Sequence, residues 1–129
     1  MPNDDTIPQN TEGDQYMTQA ITPNSAANIL RVIHQGQYTN SAGAYNEAAL
    51  FQDSTANALC SLYSTNVTAD YPVWAQLGYL LLAAGTSATT FKIRTGPSSA
   101  STITFNGLGG ARKHGGVLNS YLQVEEIMG

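Results

Sequence analysis

The chain has 129 residues, a size typical of a single domain, and 11% of them are charged, less than half the share usual in soluble domains. Its net charge of −4 and its five basic residues exclude a dense basic face, so we expect no nucleic-acid partner. A surface so poor in charge indicates contact with other subunits, because a monomer normally covers itself with charged side chains. The neutral polar surface of an extracellular or viral protein explains the composition equally well.

The first fifteen residues differ in composition from the rest of the chain. Residues 1–15 hold four of the nine acidic residues, two prolines and one large aliphatic side chain, Ile7. This composition predicts an N-terminal arm or linker outside the core, followed by one domain over residues 16–129. The longest apolar run, residues 77–84, is too short to span a bilayer, so we expect no membrane insertion.

From residue 16 onward, short runs of β-branched, aromatic and aliphatic residues alternate with glycine, proline and polar turn residues. Phe91 and Ile93 alternate with charged neighbours, which is the period of a strand with one buried face. The pattern predicts an all-β protein, an eight-stranded antiparallel sandwich of jelly-roll type. The predicted strands are residues 16–21, 29–35, 47–53, 58–63, 73–85, 89–95, 101–107 and 120–128.

Two of these regions are also compatible with a helix. Residues 21–33 could begin a helix with Asn24 or Ser25 as its cap, and residues 72–84 carry leucine and alanine at helical spacing. We favour strands in both places, because a single helix of either kind would lie among six clear strand patterns.

The acidic residues offer little for catalysis. A glycosidase needs two carboxylates about 5 to 9 Å apart. Glu125 and Glu126 are adjacent on a predicted strand and point to opposite faces, and Asp53 lies in a segment typical of a turn. The remaining candidates for such a pair are Glu47 and Asp70. We assign no catalytic residue, and a small glycan hydrolase stays as an alternative.

Metal and nucleophile patterns are also weak. His34 and His114 stand far apart without a metal-binding motif, and no G-x-S-x-G nucleophile motif occurs. Cys60, the single cysteine, lies between apolar neighbours, which favours a buried, inert thiol. We therefore predict neither a metal nor a cofactor.

Two polar loops, residues 36–45 and 63–74, are better suited to binding a ligand than the patterns above are to catalysis. Their aromatic rings are suited to stacking on sugars, while asparagine and aspartate side chains bond hydroxyl groups. Packing of the rings within the loops themselves, or in the core for Trp74, is the alternative. The residues predicted to bind a receptor or glycan are Tyr38, Tyr45, Tyr71 and Trp74.

The glycine-rich stretch GLGGARKHGG, residues 107–116, matches neither the phosphate-binding loop nor the dinucleotide fingerprint. We predict a flexible connection between the last two strands, whose basic side chains contact a neighbouring subunit. The apolar segments 49–51 and 79–84 are either part of a subunit interface or ordinary core. The interface candidates are Phe51, Leu81, Arg112 and His114.

Four segments in this order resemble the distal knob modules of tailed-bacteriophage fibres, spikes and related virion appendages. They are DQYMTQAITPNSAANILRV, EAALFQDSTANAL, TTFKIRTGPSSASTITFNG and GGARKHGGVLNSYLQVEEIMG, within residues 14–129. The resemblance implies a homotrimeric sandwich similar to TNF and C1q domains. It further implies assembly in the host cytoplasm, a place in the virion beside other virion proteins, and attachment to a host-surface glycan or protein. A capsid decoration or adaptor trimer without a receptor is the alternative.

Overall fold

Two antiparallel four-stranded sheets enclose the core in the computed structural model, which describes residues 1–65 and 68–129. The strands are β1 (Asp14–Ile21), β2 (Ile29–Asn40), β3 (Tyr45–Gln52), β4 (Cys60–Thr65), β5 (Val73–Leu82), β6 (Thr89–Pro97), β7 (Ile103–Phe105), β8 (Gly107–Leu108), β9 (Ala111–Arg112) and β10 (Tyr121–Ile127). One 3₁₀ turn, His114–Gly116, precedes β10. Over the described ranges there is no helix long and apolar enough to cross a membrane.

The predicted all-β class and antiparallel pairing are confirmed, and the two segments with helical features form strands β2 and β5. The first sheet has the order β1-β6-β3-β4. The second has the order β10-β2-β5, with β7 paired to the end of β2 beyond β10. The short β8 and β9 form a separate hairpin, so the described chain has ten strands where the sequence predicts eight.

The core lies between the two sheets and follows the period of two along each strand. Leu30 and Val32 of β2 face Leu50 of β3 and the fully buried Phe91 and Ile93 of β6. Alternation turns every second residue away from this core. Each sheet therefore has an outer face, and the two outer faces differ in how far they are exposed.

Residues 1–13 lie against the outer face of the first sheet. The Met1 amine donates a hydrogen bond to the Pro97 carbonyl at 3.0 Å. The Arg94 guanidinium donates from Nε to the Glu12 carbonyl at 2.8 Å. Gln9 forms a β-bridge with Asn57 near the start of β4. The segment that the sequence identifies as a lead-in arm is thus packed on the sheet, and β1 begins at Asp14, inside the predicted arm.

The glycine-rich stretch forms a defined hairpin and turn. Gly109 and Gly110 connect β8 to β9 with φ of +58° and +79°, the left-handed pair that a tight hairpin turn requires. A Cβ atom at Gly107 would lie 2.1 Å from the Ala111 carbonyl oxygen, so no side chain fits there. The backbone of this stretch is shaped to lie beside β2.

Candidate binding surfaces

The outer face of the second sheet carries exposed aliphatic side chains that no described residue covers. Leu80 and Leu82 of β5 point outward and are 63% and 59% exposed. Ile29 pairs with Leu82 across β2, and Ile127 of β10 lies on its other side. We call the outward surface of β10, β2 and β5 around these four side chains the open face.

A shallow depression of about 540 Å³ lies on the open face. Gly78 of β5 stands opposite Ile33 of β2 and has no side chain to fill the space. Beside it, Arg31 and Glu125 are cross-strand partners, and Arg31 Nε donates to a Glu125 carboxylate oxygen at 2.9 Å. These two charges neutralise one another, so the surface combines aliphatic side chains with little net charge.

The predicted interface residues divide between the interior and the surface. Phe51 is 1% exposed, so it cannot contact another subunit in this conformation. Leu81 packs against the core between the sheets, because alternation turns its neighbours Leu80 and Leu82 outward. Arg112 and His114 are exposed on the hairpin and the 3₁₀ turn, as an interface role requires.

A second candidate surface lies where β2 ends and β5 begins. A pocket of about 200 Å³, which we call the loop-end pocket, opens between these strands and the turn before β10. The Asp70 N–H donates to the Asn40 carbonyl at 2.6 Å, which holds the segment before β5 against β2. Residues 66 and 67 of the predicted recognition loop lie outside the described residues. The lining includes Gln37, Asp70, Pro72, Lys113, His114 and Leu118.

Gln37 is the unusual member of this pocket. Its N–H donates to Ser120 Oγ at 3.2 Å, and its carbonyl accepts from the Asn106 N–H at 3.0 Å. The side-chain oxygen Oε1, by contrast, is buried and has no hydrogen-bond partner among the described residues. A buried acceptor without a partner costs about 1–3 kcal/mol, so a hydrogen-bond donor that reached this oxygen would remove that cost.

Backbone strain accompanies the unpartnered oxygen. Asp70 and His114, which both line the pocket, have φ of 63° and 50°. Neither is a glycine, but Asp53, Ala84 and Asn106 share this backbone outside the pocket, so the strain alone does not mark a site.

Three of the four predicted recognition rings are at the surface. Trp74 is 58% exposed and is the cross-strand partner of Gln37, a residue that lines the loop-end pocket, although Trp74 itself does not line it. Tyr71, also exposed, directly precedes the lining residue Pro72. Tyr45 is exposed at the start of β3, where its ring meets that of Tyr63 at 5.8 Å, outside the pocket.

Tyr38 does not belong with these rings. It is 2% exposed, because β2 continues through residues 36–40, where the sequence predicts a loop. Its hydroxyl lies 2.5 Å from His34 Nε2, and its ring packs on Phe105 with centroids 4.3 Å apart. A buried tyrosine cannot reach a glycan, so the predicted binding role of Tyr38 is corrected to a role in the core.

His34 is the buried partner of Tyr38. Its Nδ1 lies 2.9 Å from the Tyr121 carbonyl oxygen, and both ring nitrogens are therefore engaged. Burial lowers the pKa of His34, and burial raises the pKa of Tyr38. Both neutral forms are favoured, which fits a structural pair.

The carboxylates considered for catalysis largely hold loops in place. Glu126 accepts hydrogen bonds from the Asn24 N–H at 2.8 Å and from Asn28 Nδ2 at 2.7 Å, and these bonds lower its pKa. Asp53 accepts from Thr89 Oγ1 and from the Thr90 N–H, at 2.8 and 2.7 Å. In residues 1–65 and 68–129 there is no group of three histidine, cysteine or acidic side chains able to hold a metal ion.

Glu47 is a carboxylate in a different setting. It is 6% exposed on the outer side of the first sheet, in a cavity lined also by Pro2, Asp4 and Asp5 of the arm. Burial raises the pKa of this carboxyl group, and its Oε1 has no partner in the described part of the chain. The arm therefore encloses a carboxylate together with apolar surface.

No protein-family model matches the chain, and no curated protein is similar to it. The function of the chain is therefore inferred from the open face and the loop-end pocket. The sequence singles out Trp74 but not Gln37, because nothing in the pattern of a strand shows that one glutamine oxygen will be buried without a partner.

Proposed function

We propose that the chain is a non-enzymatic, homotrimeric module of a bacteriophage virion appendage, such as a tail fibre or spike knob, that attaches the virion to the host cell. The observation that carries this proposal is the open face. Leu80 and Leu82 lie on the same side of β5 with aliphatic neighbours, and none of residues 1–65 and 68–129 covers them. Apolar surfaces of this kind are typical of subunit interfaces.

Two further observations support an assembled module. The strand order β1-β6-β3-β4 and β10-β2-β5 makes the chain cross repeatedly between sheets, which supports a jelly-roll relationship to TNF and C1q domains. Charged residues make up 11% of the chain, which suits surfaces buried between copies. The trimer, the virion location and the phage context follow from the resemblance of the sequence segments.

Attachment is tested by binding of fluorescently labelled protein to a panel of bacterial strains. We expect at least one strain to bind the protein saturably. A trimer presents three equivalent sites, so Leu80→Asp, which introduces a charge into the open face, is expected to weaken binding about a hundredfold through lost multivalency. Thr18→Asp, an exposed position on β1 of the first sheet, is the matched control and is expected to bind normally.

A capsid decoration or adaptor trimer without a receptor is the second candidate. The open face serves such a protein equally well, because assembly needs no ligand pocket. A trimer that binds none of the strains but binds purified virion shells favours this candidate. A glycan hydrolase is disfavoured because Glu126 and Asp53 are engaged in loop contacts; cleavage of a surface polysaccharide by the purified protein would reverse that judgement.

A further inference from the structure

The loop-end pocket contains an acceptor without a partner, and an exposed ring lies on the strand beside it. Gln37 Oε1 is buried and has no hydrogen-bond partner among residues 1–65 and 68–129. Trp74 stands next to Gln37 on the neighbouring strand and keeps 58% of its surface exposed. We infer that this pocket binds one uncharged hexose unit of a surface glycan, an inference that rests on the attachment role proposed above.

The size of the pocket limits the ligand. Its volume of about 200 Å³ is below the roughly 300–1,000 Å³ of sites for drug-sized molecules. A single sugar ring fits such a space, with the rest of the chain of sugars leading into solvent. The exposed ring of Trp74, on the residue that pairs with Gln37, offers the stacking surface that the apolar face of a sugar needs.

The polar lining defines the chemistry of the ligand. Gln37 Oε1 and the Asp70 carboxylate are acceptors and require donors, while Lys113 supplies donors to a ligand oxygen. Sugar hydroxyl groups donate and accept at once, so one ring serves all three. A purely apolar ligand leaves Gln37 Oε1 unpaired, and the opposite charges of Asp70 and Lys113 in one lining favour a ligand without net charge.

The pocket and the open face are compatible in one assembly. Trp74 and Leu80 lie six residues apart on β5, about 20 Å along the strand. A contact between copies centred on Leu80 and Leu82 and a ligand beside Trp74 therefore use different ends of the same strand.

Trp74 is the only tryptophan in the chain and pairs with the lining residue Gln37, so its fluorescence reports on a ligand bound beside Gln37. We titrate the protein with glucose, galactose, mannose and N-acetylglucosamine, and with glucuronic acid as the charged comparison. At least one neutral sugar is expected to change the fluorescence saturably, with a Kd in the millimolar range typical of weak, single-unit binding, about −4 kcal/mol. No saturable change with any neutral sugar, or tighter binding of glucuronic acid, overturns the inference.

Variants separate a direct role from an indirect one. Gln37→Leu is expected to raise the Kd for the best sugar at least tenfold, since it removes the acceptor. Gln37→Asn withdraws the acceptor while keeping the amide and is expected to weaken binding too. Gln19→Leu, at an exposed position on β1, is the control and leaves the Kd unchanged. Unchanged affinity in a folded Gln37→Leu or Gln37→Asn protein contradicts the inference.

The cell-binding assay distinguishes failure of this inference from failure of the attachment role. Binding to bacteria that survives both Trp74→Ala and excess neutral sugar leaves the attachment role in place and overturns the sugar site. Saturable sugar binding by a protein that binds no strain supports the pocket and contradicts host attachment. Tyr63→Ala, which removes another exposed ring at the same end of the sandwich, is the matched control for Trp74→Ala.

Discussion

The outer face of the first sheet is covered by the chain, whereas the outer face of the second sheet is exposed. On the first sheet, Phe51 points away from the core, yet its side chain is only 1% exposed. It lies on the face of the sheet against which residues 1–13 pack. On the second sheet, Leu80 also points away from the core and is 63% exposed. The N-terminal residues cover one face, and the other face stays exposed, which is the surface that we propose a second copy covers.

The largest effect is expected on the covered face. Phe51→Ala should lower the free energy of unfolding by about 3–5 kcal/mol, because it leaves a cavity beneath the arm. The measurement is urea unfolding in a Leu80→Asp background, so that assembly does not contribute. Leu82→Ala in the same background is the control, with an expected loss below about 1 kcal/mol. Equal losses at the two positions would mean that the faces do not differ as described.

A charge introduced into the open face is expected to weaken assembly. Leu80→Asp should raise the dissociation constant of the assembly at least a hundredfold, about 2.7 kcal/mol, because a carboxylate would be buried without a partner. Sedimentation equilibrium measures this change directly. Thr18→Asp places the same charge on the first sheet and should leave assembly intact. A comparable rise in the dissociation constant of that variant would contradict assembly through the open face.

The core pair between the faces predicts a pH dependence. Burial lowers the pKa of His34, so the unfolded chain binds a proton more readily than the native state. Stability should therefore fall as the pH drops below about 6.5, by up to about 1.4 kcal/mol for each pH unit. Urea unfolding between pH 8 and pH 5 measures this slope.

Two variants isolate the source of that slope. His34→Phe removes the titrating ring and should flatten the pH dependence below about 6.5, even if the protein is less stable at every pH. His114→Gln, at an exposed position, should keep the dependence of the parent chain. An unchanged slope in His34→Phe would show that another group is responsible.

The smallest effect is expected at the edge of the arm. Asn10 Nδ2 donates to the Ser54 and Thr55 carbonyls at 3.2 and 3.0 Å from an exposed position. Asn10→Ala should lower the free energy of unfolding by about 0.5–1.5 kcal/mol and increase hydrogen exchange in residues 8–12. Exchange rates identical to those of the parent chain would indicate that the arm does not depend on these bonds.

The strand pattern is the part of the fold that the sequence predicts well. Phe91 and Ile93 alternate with charged residues, and both are fully buried as that alternation predicts. Alternation succeeds because each strand has one side toward the core, whatever its partners are. It gives no information on what covers the other side, which is why Phe51 and Leu80 were indistinguishable in the sequence.

Gly36 shows why the candidate site was harder to predict. In the sequence, this glycine indicates the start of a loop, and Tyr38 therefore appears as a loop ring. In the structure, a Cβ atom at Gly36 would lie 2.9 Å from the Tyr38 hydroxyl and 3.0 Å from His34 Nε2. The glycine makes room for a buried hydrogen-bonded pair within a continuous strand, and only tertiary packing distinguishes that use from a turn.

The molar mass of the protein in solution shows whether copies of the chain assemble through the open face. Sedimentation equilibrium at micromolar concentration should give a trimer, about three times the 13.7 kDa chain and close to 41 kDa. Leu80→Asp should shift the mass toward that of one chain under the same conditions. A parent protein that sediments as a 13.7 kDa monomer would contradict the claim that the open face joins copies of the chain.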